Sequence, residues 1–307
     1  MALMSLLTLV FCAACSSAVE DVTGGSTQKQ EELVHTKLNF TGEILNITQQ
    51  PWTRASDGAK DWYVIQVYED TRSEGATSAD YTPYAYGIFD DASNLSLDLV
   101  KGKNYKFQVE MLVDASEKVN FVYLGVGCAR LKNTFVNSTS DRFLMAPSGV
   151  EMINGGTYNR PQIERFYGET EDYTATEGGT VNIDLKRTSF AVNFVAKGFT
   201  EGSIKVELEY SRDITMTPET STVQKVIAMN TSSVAEKDAV PVKITWTKSD
   251  GTEVLLASQT ITFKRNTLTT IEFTVSEDGS ITSGNNIVIN VPDDEKTWID
   301  GGTIKLN

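Results

Sequence analysis

The chain is poor in the side chains on which most catalysis and metal binding depend. It has one histidine, His35, and three cysteines in 307 residues. No second histidine is available for a His-based zinc site, and Ser-His-Asp triads and Cys-His nucleophiles are equally disfavoured. Positive charge is short too: 27 Lys and Arg stand against 41 Asp and Glu, a formal net charge of −14. So acidic a surface repels phosphate backbones, which argues against nucleic acid as a partner. No long segment shows the 3.6-residue period of an amphipathic helix. What is present is ordinary for a folded protein, 40% hydrophobic and 22% charged residues. The length suits two compact domains. The classes left open are a β-rich binding or structural protein, or an enzyme working with carboxylates alone.

Residues 1–14, MALMSLLTLVFCAA, carry no charge and form an apolar run too short to span a bilayer. The small pair Ala13-Ala14 precedes Cys15. This looks like a bacterial lipoprotein signal, in which such a cysteine takes the lipid and becomes the new N-terminus. Cys12 and the lack of Lys or Arg ahead of the run depart from the usual pattern, and a plain secretory signal is the alternative. With Cys15 lipidated and Cys12 removed, Cys128 has no partner for an intramolecular disulfide and reads as a small buried residue. Residues 15–34 are polar, with Gly24-Gly25, and read as a flexible tether.

Beyond residue 35 apolar and polar residues alternate with period two. Tyr105, Phe107, Val109 and Met111 alternate with Lys106, Gln108 and Glu110. The same holds for Leu95, Leu97 and Leu99; for Val181, Ile183 and Leu185; and for Phe190, Val192 and Phe194. It recurs in Ile204, Val206, Leu208 and Tyr210, in Val240 to Trp246, and in Ile271, Phe273 and Val275. Each run is a strand with one buried and one wet face, and wet faces mean antiparallel sheets. Without helices to cover them, such sheets bury their faces on each other, as β-sandwiches. Segments 69–82, 129–148 and 150–179 are long and irregular and read as loops or small excursions at the ends of a sandwich. The domain boundary falls at the short charged hinge Lys186-Arg187-Thr188, dividing residues 35–186 from 187–307.

The stretch Arg165-Phe166-Tyr167-Gly168-Glu169, then Thr176-Glu177-Gly178-Gly179, Val181 to Arg187 and Phe190-Ala191-Val192-Asn193-Phe194, resembles the domain junction of the fimbrillin-like lipoproteins of Bacteroidales, with its "FYG" turn. The resemblance implies two tandem antiparallel β-sandwich domains of transthyretin-like type and an outer-membrane lipid anchor. It implies partnership with other fimbrial subunits in a homo- or hetero-polymer serving adhesion. It further implies a proteolytic cut after an arginine near the N-terminus, which releases the first strand so that a neighbouring subunit's strand can take its place. Arg54-Ala55 stands where that cut is expected, after the run from His35 to Ile47. The first strand would carry Leu38, Phe40, Gly42 and Ile44. The donor would lie in Ile281–Asn307, with Ile287, Ile289 and Val291 and then Trp298, Ile299, Ile304 and Leu306; the same residues also read as the last strands of the second domain.

Other candidates carry less. Asp90-Asp91, Glu169 to Asp172 and Asp293-Asp294-Glu295 are carboxylate clusters that read as solvated acidic loops, with neither EF-hand spacing nor a demonstrable glycosidase pair. His35 reads as exposed. No cofactor or metal is expected, and the chain reads as non-enzymatic. The alternative function is a monomeric surface lipoprotein binding host or bacterial surface glycans, proteins or other ligands; Trp52, Trp62, Tyr81, Tyr84 and Tyr86 offer rings on which sugars stack, and the same aromatics also read as sandwich core or strand surface.

Overall fold

The computed structural model describes residues 31–43, 58–124, 127–138, 150–153, 156–230, 233–275 and 299–300. In chain order the first strands are β1 (Leu33–Gly42), β2 (Trp62–Asp70), β3 (Tyr81–Phe89), β4 (Ser96–Val100) and β5 (Asn104–Leu112). One helical turn, α1 (Ala115–Lys118), precedes β6 (Val119–Leu124), β7 (Gly127–Ala129), β8 (Phe135–Asn137), β9 (Val150–Met152) and β10 (Gly156–Thr157). Then come β11 (Arg165–Thr174), β12 (Thr180–Arg187), β13 (Ser189–Lys197), β14 (Ser203–Leu208) and β15 (Ile214–Met216). The last are β16 (Thr222–Ala228), β17 (Lys237–Thr247), β18 (Glu253–Lys264), β19 (Thr267–Thr274) and β20 (Ile299–Asp300). The all-β expectation holds, and the alternating runs named from sequence coincide with strands except at the end residues Leu95, Tyr210 and Val275. These strands lie in one compact unit that begins at Leu33, so Leu33 and Val34 belong to β1 and not to the expected tether.

The first half is built on an eight-stranded sheet, β4-β1-β12-β11-β5-β2-β3-β8. Strands β11 and β12 share two paired positions, Phe166 with Arg187 and Tyr167 with Lys186. There the sheet turns a corner, and its two limbs enclose one core: Leu97, Leu99, Val181 and Ile183 from the short limb meet Val67, Phe107, Val109 and Phe166 from the long one. The long limb is also covered behind. A four-stranded sheet, β10-β9-β6-β7, brings Val119, Val122 and Val150 against Trp62, Val64, Ile88 and Leu112. This second cover corrects the one-wet-face reading of β5, because Glu110, expected in water, is 1% exposed. The second half packs β16-β13-β19-β20 against β15-β14-β17-β18 around a separate core, in which Phe190 stacks on Phe263 at 4.2 Å.

Four further expectations are corrected. Not every pair is antiparallel: β1·β12, β13·β19 and β19·β20 are parallel. Alternation records which face is buried and says nothing of a neighbour's direction. In each half the opening strand, β1 or β13, lies parallel to a strand from near that half's end, a shared topology without a sequence repeat. Segment 150–179 is not a loop, since it supplies β9, β10 and the ten-residue β11. Nor do Phe166-Tyr167-Gly168 form a turn: they lie inside β11, paired with Met111, Glu110 and Val109. Tyr210 falls beyond β14, exposed and at φ +63°.

Gly168 has a packing reason. At the corner β12 crosses so close that a Cβ on Gly168 would lie 2.5 Å from the Asp184 carbonyl oxygen and 2.9 Å from Ile183 Cγ2. Backbone cannot yield as a side-chain tip can. Gly168→Ala is therefore expected to cost about 1–3 kcal/mol, the range for an overpacked core. Urea midpoints of the two proteins measure it; equal midpoints would refute the close crossing.

Candidate functional site

Strand β1 is held from both edges. It runs parallel to β12, from Lys37 opposite Thr180 to Gly42 opposite Leu185, and antiparallel to β4, from Leu33 opposite Val100 to Lys37 opposite Ser96. Val34, Thr36 and Leu38 point into the core between the limbs, and Phe40 stacks on Tyr63 at 5.5 Å. On the outer face His35 Nδ1 meets Asp98 Oδ1 at 3.0 Å, and Asn39 Nδ2 donates to Asn182 Oδ1 at 2.8 Å. Withdrawing such a strand uncovers Leu97, Leu99, Val181, Ile183 and Leu185 and leaves two strand edges without their ladder.

The end of β1 is tied to the second half of the chain. The Glu43 carboxylate accepts from the backbone N–H of Arg187 at 2.7 Å and from Arg265 Nη1 at 2.9 Å. Around it lies a set of buried ion pairs. Arg187 Nε donates to Glu164 Oε1 at 2.7 Å, its guanidinium also reaches Asn266, and it stacks over the Phe166 ring. Arg165 Nη1 lies 3.3 Å from Glu110 Oε1, while its Nε donates to Thr188 Oγ1 at 3.1 Å and its Nη2 to the Met229 carbonyl at 2.7 Å. Arg160 forks onto Asp238 at 2.8 and 2.9 Å and donates to the Glu209 carbonyl. The expected charged hinge is thus an interlocked junction: Arg187, Thr188 and Ser189 are buried, and only Thr188 separates β12 from β13.

Burial controls the protonation of this junction. It pushes the Glu110 carboxyl up to about 7, against the pull of Arg165, and it lowers the Arg165 guanidinium, against the pull of Glu110. Burial opposes ionisation of Asp238 as well, but the Arg160 fork and the Asn230 N–H hold its carboxyl below the usual range. Sequence reasoning missed Glu110 because it alternates with Val109 and Met111, and it named Arg165 only as part of the junction motif.

The other candidates fall apart as sites. The acidic run is neutralised locally. Burial alone would lift the Glu169 carboxyl, yet bonds from Tyr167 and Gln108 and the charge of Lys106 hold it down. Glu171 pairs with Lys106 at 2.5 Å, and Asp172 meets Arg72 at 3.3 Å and Tyr81 Oη at 3.0 Å. Asp90 is held by Lys60 at 2.7 Å and Asn133 at 2.9 Å. Among the described residues no group of His, Cys, Asp or Glu could hold a metal ion. His35 is exposed as expected. Trp62 is 6% exposed and belongs to the core behind the sheet. Tyr84 and Tyr86 pack against different cores, because Tyr84 is the extra residue of a bulge where Val67 pairs with Ala85 and Tyr68 with Pro83. The three tyrosines therefore form no common platform. Cys128 lies in β7. Cys15, Trp52, Arg54, Ala55, Ile287, Ile289, Val291 and the Asp293–Glu295 cluster lie outside the described residues.

No family model and no curated protein matches the chain. Solved structures similar to it include the fimbrial anchor protein Mfa2 of Porphyromonas gingivalis, at 12% identity and a TM-score of 0.42, covering 90% of this chain and 100% of that one. Another is the tip fimbrial protein Mfa3 of the same organism with a C-terminal truncation, at 10% identity and a TM-score of 0.35, covering 80% of this chain and 96% of that one.

Proposed function

We propose that the chain is a non-enzymatic cell-surface fimbrial subunit or accessory protein, assembling by strand exchange and serving adhesion. The observation that carries this reading is the seat of β1. The opening strand is inserted between β4 and β12, fills the core with Val34 and Leu38, and continues into the segment that holds Arg54-Ala55. One cut there would separate a whole strand from the remainder of the sandwich. The groove left behind would offer apolar pockets at alternate positions and two unpaired backbone edges, which an incoming strand satisfies together. Ile287, Ile289 and Val291 have the matching alternation. Cys15 supplies the lipid that holds the protein to the outer membrane before assembly. The glycan-stacking alternative gains no observation, since Trp62 is buried and the tyrosines of β3 diverge.

The test treats the purified full chain with an arginine-specific protease and follows it by N-terminal sequencing and negative-stain microscopy. A new terminus at Ala55 together with filaments is expected, and Arg54→Gln should abolish both. A chain that stays uncut at Arg54, or is cut there and remains monomeric, refutes strand exchange.

A further inference from the structure

The eight-stranded sheet ends in β4 on one side and β8 on the other, and both ends line one open cleft of about 790 Å³. Whereas β11 and β12 pair directly, β4 and β8 do not. Backbone parity shows what the two edges present. Leu38 N–H donates to the Leu95 carbonyl at 2.9 Å, in register with the β1·β4 ladder. Leu95, Leu97 and Leu99 therefore turn their peptide groups toward β1, and Ser96 and Asp98 turn theirs outward. The Asp98 carbonyl agrees, accepting Tyr84 Oη from outside the ladder at 3.3 Å. On the far side Ser138 N–H donates to the Tyr84 carbonyl at 2.9 Å, so Val136 faces β3 while Phe135 and Asn137 face the cleft. Among the described residues no strand pairs with either outward edge.

The walls state what would fit. Leu33, 57% exposed, and the half-buried Phe135 offer apolar contact. Asp91 and Asp98 add negative charge, while Asp90 is already matched by Lys60. The Asp98 carbonyl and the Val100 N–H are taken by the Tyr84 and Tyr105 hydroxyls, so the outward groups left on the cleft are those of Ser96, the Asp98 N–H, Phe135 and Asn137. Main-chain groups at strand spacing on two edges call for an extended peptide, which returns hydrogen bonds at that spacing. A sugar would need an open aromatic face, and the rings on this cleft are engaged: Phe89 packs on Phe135 at 4.8 Å and Tyr84 packs edge-on against Tyr105 at 5.2 Å.

We propose that this cleft binds an extended segment of another polypeptide, apolar at alternate positions with lysine or arginine between them, as a strand added between β4 and β8. The added strand joins the two ends of the sheet. Strand β1 stays in its seat throughout, so the surface works on the uncleaved chain and does not depend on strand exchange at β1.

The probe is an acetylated, amidated hexapeptide alternating lysine and valine, titrated into the uncleaved protein and followed by amide chemical shifts. Binding is expected to shift the amides of Ser96, Asp98, Phe135 and Asn137. N-methylation of alternate peptide bonds should abolish it, as should exchange of lysine for glutamate. Asp98→Asn combined with Asp91→Asn should weaken it at least tenfold; both side chains are on the surface, so the fold is preserved. Absence of binding, unchanged affinity of the N-methylated peptide, shifts confined to other strands, or capture of maltohexaose in place of the peptide would each overturn the proposal.

Discussion

Arg165→Ala is expected to destabilise the chain by about 3–5 kcal/mol, the range for breaking a buried ion pair from one side. Arg165 and Glu110 are each about 2% exposed as side chains. The guanidinium also supplies the Thr188 hydroxyl and the Met229 carbonyl, joining β11 to the linker between β12 and β13 and to the segment after β16. Alanine removes those donors and leaves an uncompensated carboxyl in a dry site. Urea denaturation of the single variant, beside the double variant Arg165→Met with Glu110→Leu, separates the causes. The double variant should recover the part of the loss that comes from the uncompensated carboxyl, because apolar side chains of similar volume need no partner, while the Met229 carbonyl stays without its donor. A single variant within 1 kcal/mol of the parent would show that the pair does not hold the junction.

The second large effect is a dependence on pH. The Glu110 carboxyl ionises near 4.5 in an unfolded chain and at about 7 in the folded one. Below about 4.5 both states hold the proton and its stabilising contribution is complete. Between 4.5 and 7 the unfolded state releases the proton and the folded state keeps it, so stability falls as pH rises, by up to about 1.4 kcal/mol per unit. Across the window the loss is on the order of 3 kcal/mol by the same conversion. Asp70, Asp90 and Asp238 have carboxyls held below their ordinary value, and they act the other way, losing stability only as the pH falls into the acid range. Glu110→Gln mimics the protonated acid and should flatten the curve between pH 5 and 8, while the parent declines. Parallel curves for the two proteins would refute the raised ionisation.

How much of this was legible can be seen strand by strand. Tyr105 to Met111 and Phe190 to Phe194 show the plain alternation of a sandwich, and they are β5 and β13. Strand β11 was not legible. Its middle, Gly168 to Asp172, carries a glycine and three acids, and it becomes a strand because β5 pairs along nearly all of it. Glu110 read as wet for the same reason, since nothing near it in sequence announces a third layer. At the candidate site, β1 and its buried face were visible in Leu38 and Phe40, whereas the partners of β1 were not.

The sequence by itself determined that this is an all-β chain, which residues most strands bury, and that histidine is scarce. These follow from composition and from a two-residue period, both properties of the local chain. Tertiary structure alone decided that β1 runs parallel to β12, that Arg165 and Glu110 meet in a dry junction, and that β4 and β8 end the sheet on one cleft. Each of those joins residues far apart along the chain, such as Lys37 and Thr180, and a pattern that repeats every two residues holds no record of so distant a partner.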